Sequence, residues 1–377
     1  MQECCSCETQ RGEDNDQPRN ASTVYYSNLN GACLTGQVGV SDGPSWIAGT
    51  FVWTIHDYMG EPGKWPHISS SFGAFDLAGF PKAAVSWYRS AWLGNISTSD
   101  AGRPPLPAST STIVHIVEAW EAPRNPAAGG KRTINVYSNA PFVSLLAPGV
   151  PPSPPTPISG FGAFATFPGV AFVPGSVLTA HALAADGVTV LATHTAASWG
   201  APAALALSVD APSPTTGTGR ALYLDGGDVA LVRATVVDAA GNTCHDAALP
   251  LTFAVTAGPG LVWGTGSGDP SDHGHPYSPS RVTYHGLARG IVRAALVGVG
   301  SDAERAQLAY VNVDAGAAGG RTAAILGGGA APPTSLTVSV SAPGLPTSTL
   351  SIALSVDASD SVLAVAAASV GMADLGQ

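Results

Sequence analysis

The sequence predicts a chain of several domains: a β/α-barrel unit within residues 1–94, then two β-sandwich domains at 111–210 and 211–357. Three observations carry that prediction. A near-continuous apolar run, Ile47-Ala48-Gly49-Thr50-Phe51-Val52-Trp53, leads into a polar and aromatic loop and then a helical pattern. Farther on, short segments alternate apolar and polar residues between turn signals. The composition agrees: 45% hydrophobic and 11% charged residues, with 45 Gly and 31 Pro in 377 residues, suit a strand-and-turn-rich globular protein. The same balance excludes a coiled coil and an acidic disordered chain.

The apolar run suits a strand buried on both faces, as in a parallel sheet covered by helices. It stops at Thr54, and the loop after it carries His56, Asp57, Tyr58, Glu61, Lys64, Trp65 and His67. A helix is expected from Pro81, whose missing N–H costs nothing in a first turn. Ala84, Trp87, Tyr88, Ala91 and Trp92 then recur at the spacing of one apolar helical face, and Gly94 is its stop. A strand, a chemically rich loop and a helix form the repeating unit of a β/α barrel, whose strand ends carry the chemistry. In that loop Trp53 and Trp65 offer apolar faces to a sugar ring, and His56 and Asp57 offer hydrogen bonds to its hydroxyls. Barrel packing accounts for Trp53 equally well.

The wording of this stretch, FVWT followed by DY and GEP, then FG and DLAGFPK before a Trp-rich helix, resembles the last strand and helix of the catalytic barrel in glycoside hydrolase family 2, in its β-galactosidase-like members. The first residues resemble the family's strand-seven segment, with Glu3, Ser6 and Arg11-Gly12-Glu13 at matching offsets. The resemblance therefore implies a partial (β/α)8 TIM barrel, its last two strands, with Glu3 as nucleophile. A retaining glycosidase needs such a carboxylate to attack the anomeric carbon, and a second carboxyl group as acid/base. The residues before Gly94 fall well short of the roughly 250 that a complete barrel takes. The expectation is therefore the C-terminal part of a longer enzyme, with its general acid upstream and no hydrolysis by this chain alone. Where some members of the family hold a cation, Phe72 stands in place of the expected Asn, so no metal is expected, and no cofactor.

After a linker at 95–110, STIVHIVEAWEAP, RTINVYSN and FVSLLAPG read as short strands of the first sandwich. They resemble the β-domain that follows the barrel in the family. Residues 149–157 form a proline-rich surface insertion or linker, and the domain resumes at Val173-Pro174-Gly175. In the second sandwich Val232, Ala234 and Val236 alternate with Arg233 and Thr235, giving one buried and one wet face. A turn at Asp238–Asn242 comes next, after which Leu249–Val255 returns. The glycine-rich GTGSGDPSDH and Tyr284-His285-Gly286-Leu287-Ala288 resemble the family's last immunoglobulin-like domain. No βαβ unit surrounds Gly266 and Gly268, so they read as tight-turn glycines and not a phosphate site. Asp272, His273, His275 and His285 read as exposed loop residues and not a metal cluster. A Gly/Ala-rich insertion near 298–334, a closing hairpin through Gly344 and an apolar tail at 358–377 complete the chain.

Formal net charge −10 with pI near 5.2 argues against a nucleic-acid partner. No apolar stretch reaches membrane-spanning length. Of five cysteines, Cys4, Cys5 and Cys7 are bunched and Cys33 and Cys244 stand alone, which is not zinc-ligand spacing. No charged-then-apolar leader follows Met1. The compartment is open, with a secreted or extracytoplasmic one the working expectation, and an oligomer is equally open. The expected partner is a β-glycoside substrate. The rival expectation is a non-catalytic carbohydrate-binding or adhesion protein, in which two immunoglobulin-like modules act beside a vestigial barrel piece.

Overall fold

The structure is a computed structural model that describes residues 54–62, 65–71, 73–94, 112–122, 129–159, 162–211, 221–223, 228–294 and 333–355. The expected strand at Ile47–Trp53, the linker and the tail lie outside these residues. So does the Gly/Ala-rich insertion, apart from Pro333 and Thr334 at its end.

Among the described residues there is one helix, and the rest of the regular structure is strand, divided between two compact units. Unit 1 comprises residues 1–201 with Cys244–Asp246 and Gly268–His273; unit 2 comprises Pro202–Thr243, Ala247–Ser267 and the residues from Gly274 on.

In unit 1 the helix, α1, runs Ala83–Gly94, just after Pro81. Its apolar stripe is buried at Ala84, Trp87, Tyr88 and Ala91. Trp92, expected on the same stripe, is instead 47% exposed and lies tilted against Tyr88. It sits one residue beyond Ala91, at the edge of an arc that a helix of this length buries on one side only. The stripe packs with Val117 and Tyr137, and the Trp87 indole N–H donates to the Gly162 carbonyl at 2.9 Å.

The strands of unit 1 are β1 (Val114–Ile116), β2 (Lys131–Ser138), β3 (Phe142–Leu146), β4 (Thr156–Pro157), β5 (Phe164–Ala171), β6 (Val177–Leu183) and β7 (Val190–Ala197). They form two antiparallel sheets, in the orders β1-β2-β5 and β4-β3-β6-β7. They share one core, with Trp120, Ile134, Val136, Val143, Leu145 and Leu178 among its members. Burial of such apolar surface is the main favourable term in a two-layer fold. The Trp120 indole N–H is satisfied by Ser176 Oγ at 2.9 Å. The proline-rich 149–157 stretch is not wholly an insertion, because β4 closes it onto the edge of β3. Cys244, also in unit 1, is buried with its thiol directed at the Gly200 carbonyl at 3.6 Å, and the other four cysteines lie outside the described residues.

Unit 2 holds β8 (Ala204–Ala211), β9 (Leu222–Tyr223), β10 (Val229–Val237), β11 (Pro250–Ala257), β12 (Gly260–Gly266), β13 (Ser280–Val282), β14 (Leu287–Ala294), β15 (Ser335–Ser341) and β16 (Ser348–Ser355). The sheets run β12-β14-β10-β8 and β13-β11-β15-β16-β9. In β10 the expected alternation holds, with Ala230, Val232, Ala234 and Val236 fully buried. The expected turn at Asp238 also forms, as its Oδ1 accepts from the Ala240 and Asn242 amides. The strand after that turn does not pair back onto β10: β11 belongs to the other sheet, between β13 and β15. The closing hairpin through Gly344 joins β15 to β16 in register. Among the described residues no helix is long and apolar enough to cross a membrane.

Candidate functional site

The loop beyond Thr54 begins with a short pairing. The Asp57 amide donates to the Phe75 carbonyl at 2.9 Å and the Phe75 amide to the Ile55 carbonyl at 2.8 Å. This brings Gly73 so close that a Cβ there would lie 2.3 Å from the Asp57 nitrogen, so only glycine fits. The Asp57 carboxylate is buried beneath the pairing. Its Oδ1 accepts from the Gly73 amide and its Oδ2 from Lys82 Nζ, both at 2.7 Å. Burial pushes the Asp57 carboxyl above its ordinary value, while Lys82 and the Gly73 amide pull it back. Lys82, itself buried, also donates to the Ser71 carbonyl at 2.9 Å.

Asp76 organises the DLAGFPK segment. Its Oδ1 accepts from the Ala78 and Phe80 amides, both at 2.9 Å, which closes the turn that delivers Pro81 and Lys82 to the helix start. Burial raises its pKa to about 6, against those two amide bonds and nearby Lys82. The motif is therefore a brace: Asp76 sets the turn, and the turn sets Lys82 beneath Asp57.

Between the two ends of this brace the chain makes a hairpin-like excursion. The Ser70 amide donates to the Tyr58 carbonyl at 2.9 Å and the Gly60 amide to the Ile68 carbonyl at 3.1 Å. Tyr58 also bonds Glu61 through its hydroxyl, where the backbone of Glu61 turns through φ 43°. Trp65 stands at the tip and is 80% exposed. Residues Gly268–His273, which belong to unit 1, hold that tip. The Ile68 amide donates to the Pro270 carbonyl at 2.8 Å, and His273 Nε2 donates to the Pro66 carbonyl at 2.8 Å. The Trp65 and His273 rings meet edge to face at 4.9 Å. Gly268, at φ +79°, lies against the Asp76 carboxylate, where a Cβ would come within 2.0 Å of Oδ2.

Of the residues expected to meet a sugar, Glu3 and Trp53 lie outside the described residues. His56 is exposed and stacks on Phe75 at 5.0 Å. Asp57 is buried with both oxygens engaged, and Trp65 is exposed. Three members of the arrangement carry no sequence signal of their own. Lys82 and Asp76 stand out only as letters of the DLAGFPK motif, and His273 reads as an ordinary loop residue. His285, expected to be exposed, is buried at a two-residue turn with φ 52°. Among the described residues no three His, Cys, Asp or Glu side chains gather as a metal site.

Residues 216–296 match Glycoside hydrolase family 2 C-terminal domain 5. A β-galactosidase of Bacteroides ovatus is 30% identical over 227 residues, which is 59% of this chain and 23% of that protein. The chain is related to glycoside hydrolase family 2. It corresponds to a C-terminal portion of such proteins, and its match spans about a quarter of the length of that curated relative. Solved structures share the fold. A β-glycosidase from Bacteroides vulgatus superimposes with TM-score 0.60 at 19% identity, over 84% of this chain and 32% of the other. A family 2 β-glucuronidase gives TM-score 0.60 at 21% identity, over 90% of this chain and 29% of the other.

Proposed function

We propose that the chain is part of a retaining glycosidase acting on a β-galactoside, and that it is inactive alone. The observation that carries this is the 30% identity with the B. ovatus β-galactosidase across 227 residues. In this reading residues 1–94 are the end of a (β/α)8 barrel, and two immunoglobulin-like domains follow. The Glu3 carboxylate attacks the anomeric carbon, forming a glycosyl ester as the bond to the leaving oxygen breaks. A general acid from a segment outside these residues protonates that oxygen, and water then cleaves the ester. Trp53 and Trp65 present ring faces to the sugar and His56 a hydrogen-bonding edge. Asp57, with its oxygens held by the Gly73 amide and Lys82, braces the loop beside the substrate and does not offer its carboxylate to the sugar hydroxyls.

The test is hydrolysis of nitrophenyl β-galactoside by the chain and by a longer polypeptide in which a family 2 barrel segment precedes it. The expected result is no turnover by the chain, turnover by the longer form, and loss of that turnover in Glu3→Gln. Turnover by the chain alone would place the general acid inside it, and an unimpaired Glu3→Gln would remove Glu3 from the chemistry. A preference for the β-glucuronide would overturn the sugar assignment.

A further inference from the structure

We propose that His115 and His194 form an acid-sensitive latch between the two sheets of unit 1, closed while both imidazoles are neutral and opened when they take up protons. β1 ends the sheet β1-β2-β5, and β7 ends the sheet β4-β3-β6-β7. Along an antiparallel strand successive amides point to opposite sides. The Val117 amide donates to the Asn135 carbonyl of β2 at 2.9 Å, so the buried Ile116 amide before it points off the sheet. A side chain of the other sheet takes that donor: His194 Nδ1, on β7, accepts it at 3.2 Å. One imidazole thus joins the edge of one sheet to the edge of the other.

A backbone N–H only donates, so His194 Nδ1 carries a lone pair and the ring is neutral when the bond is made. A proton on that nitrogen sets two donors against each other and leaves the Ile116 amide without its acceptor. His115 adds to the penalty, because its ring lies 4.8 Å from that of His194 and two imidazolium charges so close repel. The other ionisable groups nearby are turned away or engaged. From β6, His181 stands opposite Thr193, on the other face from His194. In the turn between β6 and β7, Asp186 is taken up by the Val188 and Thr189 amides and the Thr189 hydroxyl. From β2, Tyr137 lies opposite His115, and Arg132 donates to the Ala119 and Glu121 carbonyls. Past the end of β1, Glu118 spends both oxygens on Asn135, and Arg89 on α1 is exposed. Burial, with His194 beside it, holds His115 below the ordinary histidine range, and burial does the same for His194. A metal bridging the rings is a poor fit: a ligating histidine donates through its second ring nitrogen, and His194 accepts there.

The experiment is amide hydrogen exchange on the full chain, read residue by residue by NMR as a function of pH. The open latch binds protons that the closed one refuses. As pH falls below about 6.5, the ordinary histidine value, protection of the Ile116 amide should therefore drop by up to about tenfold per pH unit for each histidine that titrates. The Val117 amide, on the β2 side of the same strand, should keep its protection. His194→Asn keeps an acceptor that takes no proton, and His115→Phe keeps a ring that takes none. Each should lower the slope to the contribution of the remaining histidine, and the double variant should abolish it. Ile116 protection that does not change with pH, or Val117 protection that falls in step with it, overturns the latch. Both results are read on the wild-type chain, so a variant that fails to fold does not block the test. A folded double variant that keeps the wild-type slope overturns the assignment to these two rings.

Discussion

The loop at residues 54–82 and strand β10 both bury backbone, yet they are held by opposite means. In β10 the backbone is satisfied by ladders to β14 and β8, so Ala230, Val232, Ala234 and Val236 need only be apolar. Among the described residues of 54–82 the ladder is reduced to isolated bridges, and the polar side chains of Asp57, Ser70, Asp76 and Lys82 take over. A sheet tolerates exchange of one apolar residue for another at modest cost. A braced loop depends on the identity of each donor and acceptor, because a buried group that loses its partner keeps its desolvation penalty.

The largest expected effect comes from that difference. Lys82→Met leaves the Asp57 carboxylate buried without its cation, a change that costs about 3–5 kcal/mol. Hydrogen exchange at the Asp57, Phe75 and Ser70 amides should accelerate accordingly, and the double variant Asp57→Asn with Lys82→Met should recover much of the protection. If the single variant exchanges as slowly as the wild type, the brace contributes nothing. The matching change in a sheet is Leu251→Ala on β11, fully buried, expected to cost about 2–5 kcal/mol through lost burial and the cavity left behind. Here no second substitution at a charged position should rescue it, and denaturant unfolding measures the loss.

Gly268→Ala comes next. It combines a positive φ with a Cβ directed at the Asp76 carboxylate, so about 1–3 kcal/mol is expected. Its sharper use is spatial: exchange should accelerate at the Ala78 and Phe80 amides, which Asp76 holds, and not within β10. Uniform acceleration in both places would mean that the loop and the sheet are not separable in this way.

Legibility in the sequence divides along the same line. The alternation in β10, the helix stripe apart from Trp92, and the β15–β16 hairpin are local patterns, and each is present where period and turn residues put it. The crossing of β11 to the other sheet is not local, since the turn at Asp238 forms equally well before a return or a crossing. The site was less legible still. Asp57 and Lys82 are 25 residues apart, and Pro66 and His273 are 207 apart. Pattern reading places charged residues on the surface, so a buried pair is invisible to it until the fold brings the two together.

The smallest effect concerns pH, and unit 1 contains two arms of opposite sign. Burial raises Glu118 to about 7, against its bonds from the Asn135 amide and side chain, and Asp76 to about 6. Both then bind protons more readily folded than unfolded, so their contribution to stability falls as pH rises from about 4 to about 7. Burial, with His194 beside it, lowers His115 to about 3, and burial lowers His194 as well. The unfolded histidines bind protons that the folded ones refuse, so this arm gains stability as pH rises through much the same range. Burial raises Asp57 as well, which adds to the first arm, and lowers His67 and His245, which adds to the second, so the two arms oppose each other in the wild type between about pH 4 and about pH 7. Glu118→Gln removes much of the first arm, so stability should then rise with pH, by no more than about 1.4 kcal/mol per pH unit for each proton involved. His194→Asn should tilt the slope the other way, and it also tests whether the Ile116 amide, which donates to His194 Nδ1 at 3.2 Å, keeps its protection with an amide oxygen as acceptor. Parallel slopes in the two variants would mean that neither buried group governs the titration.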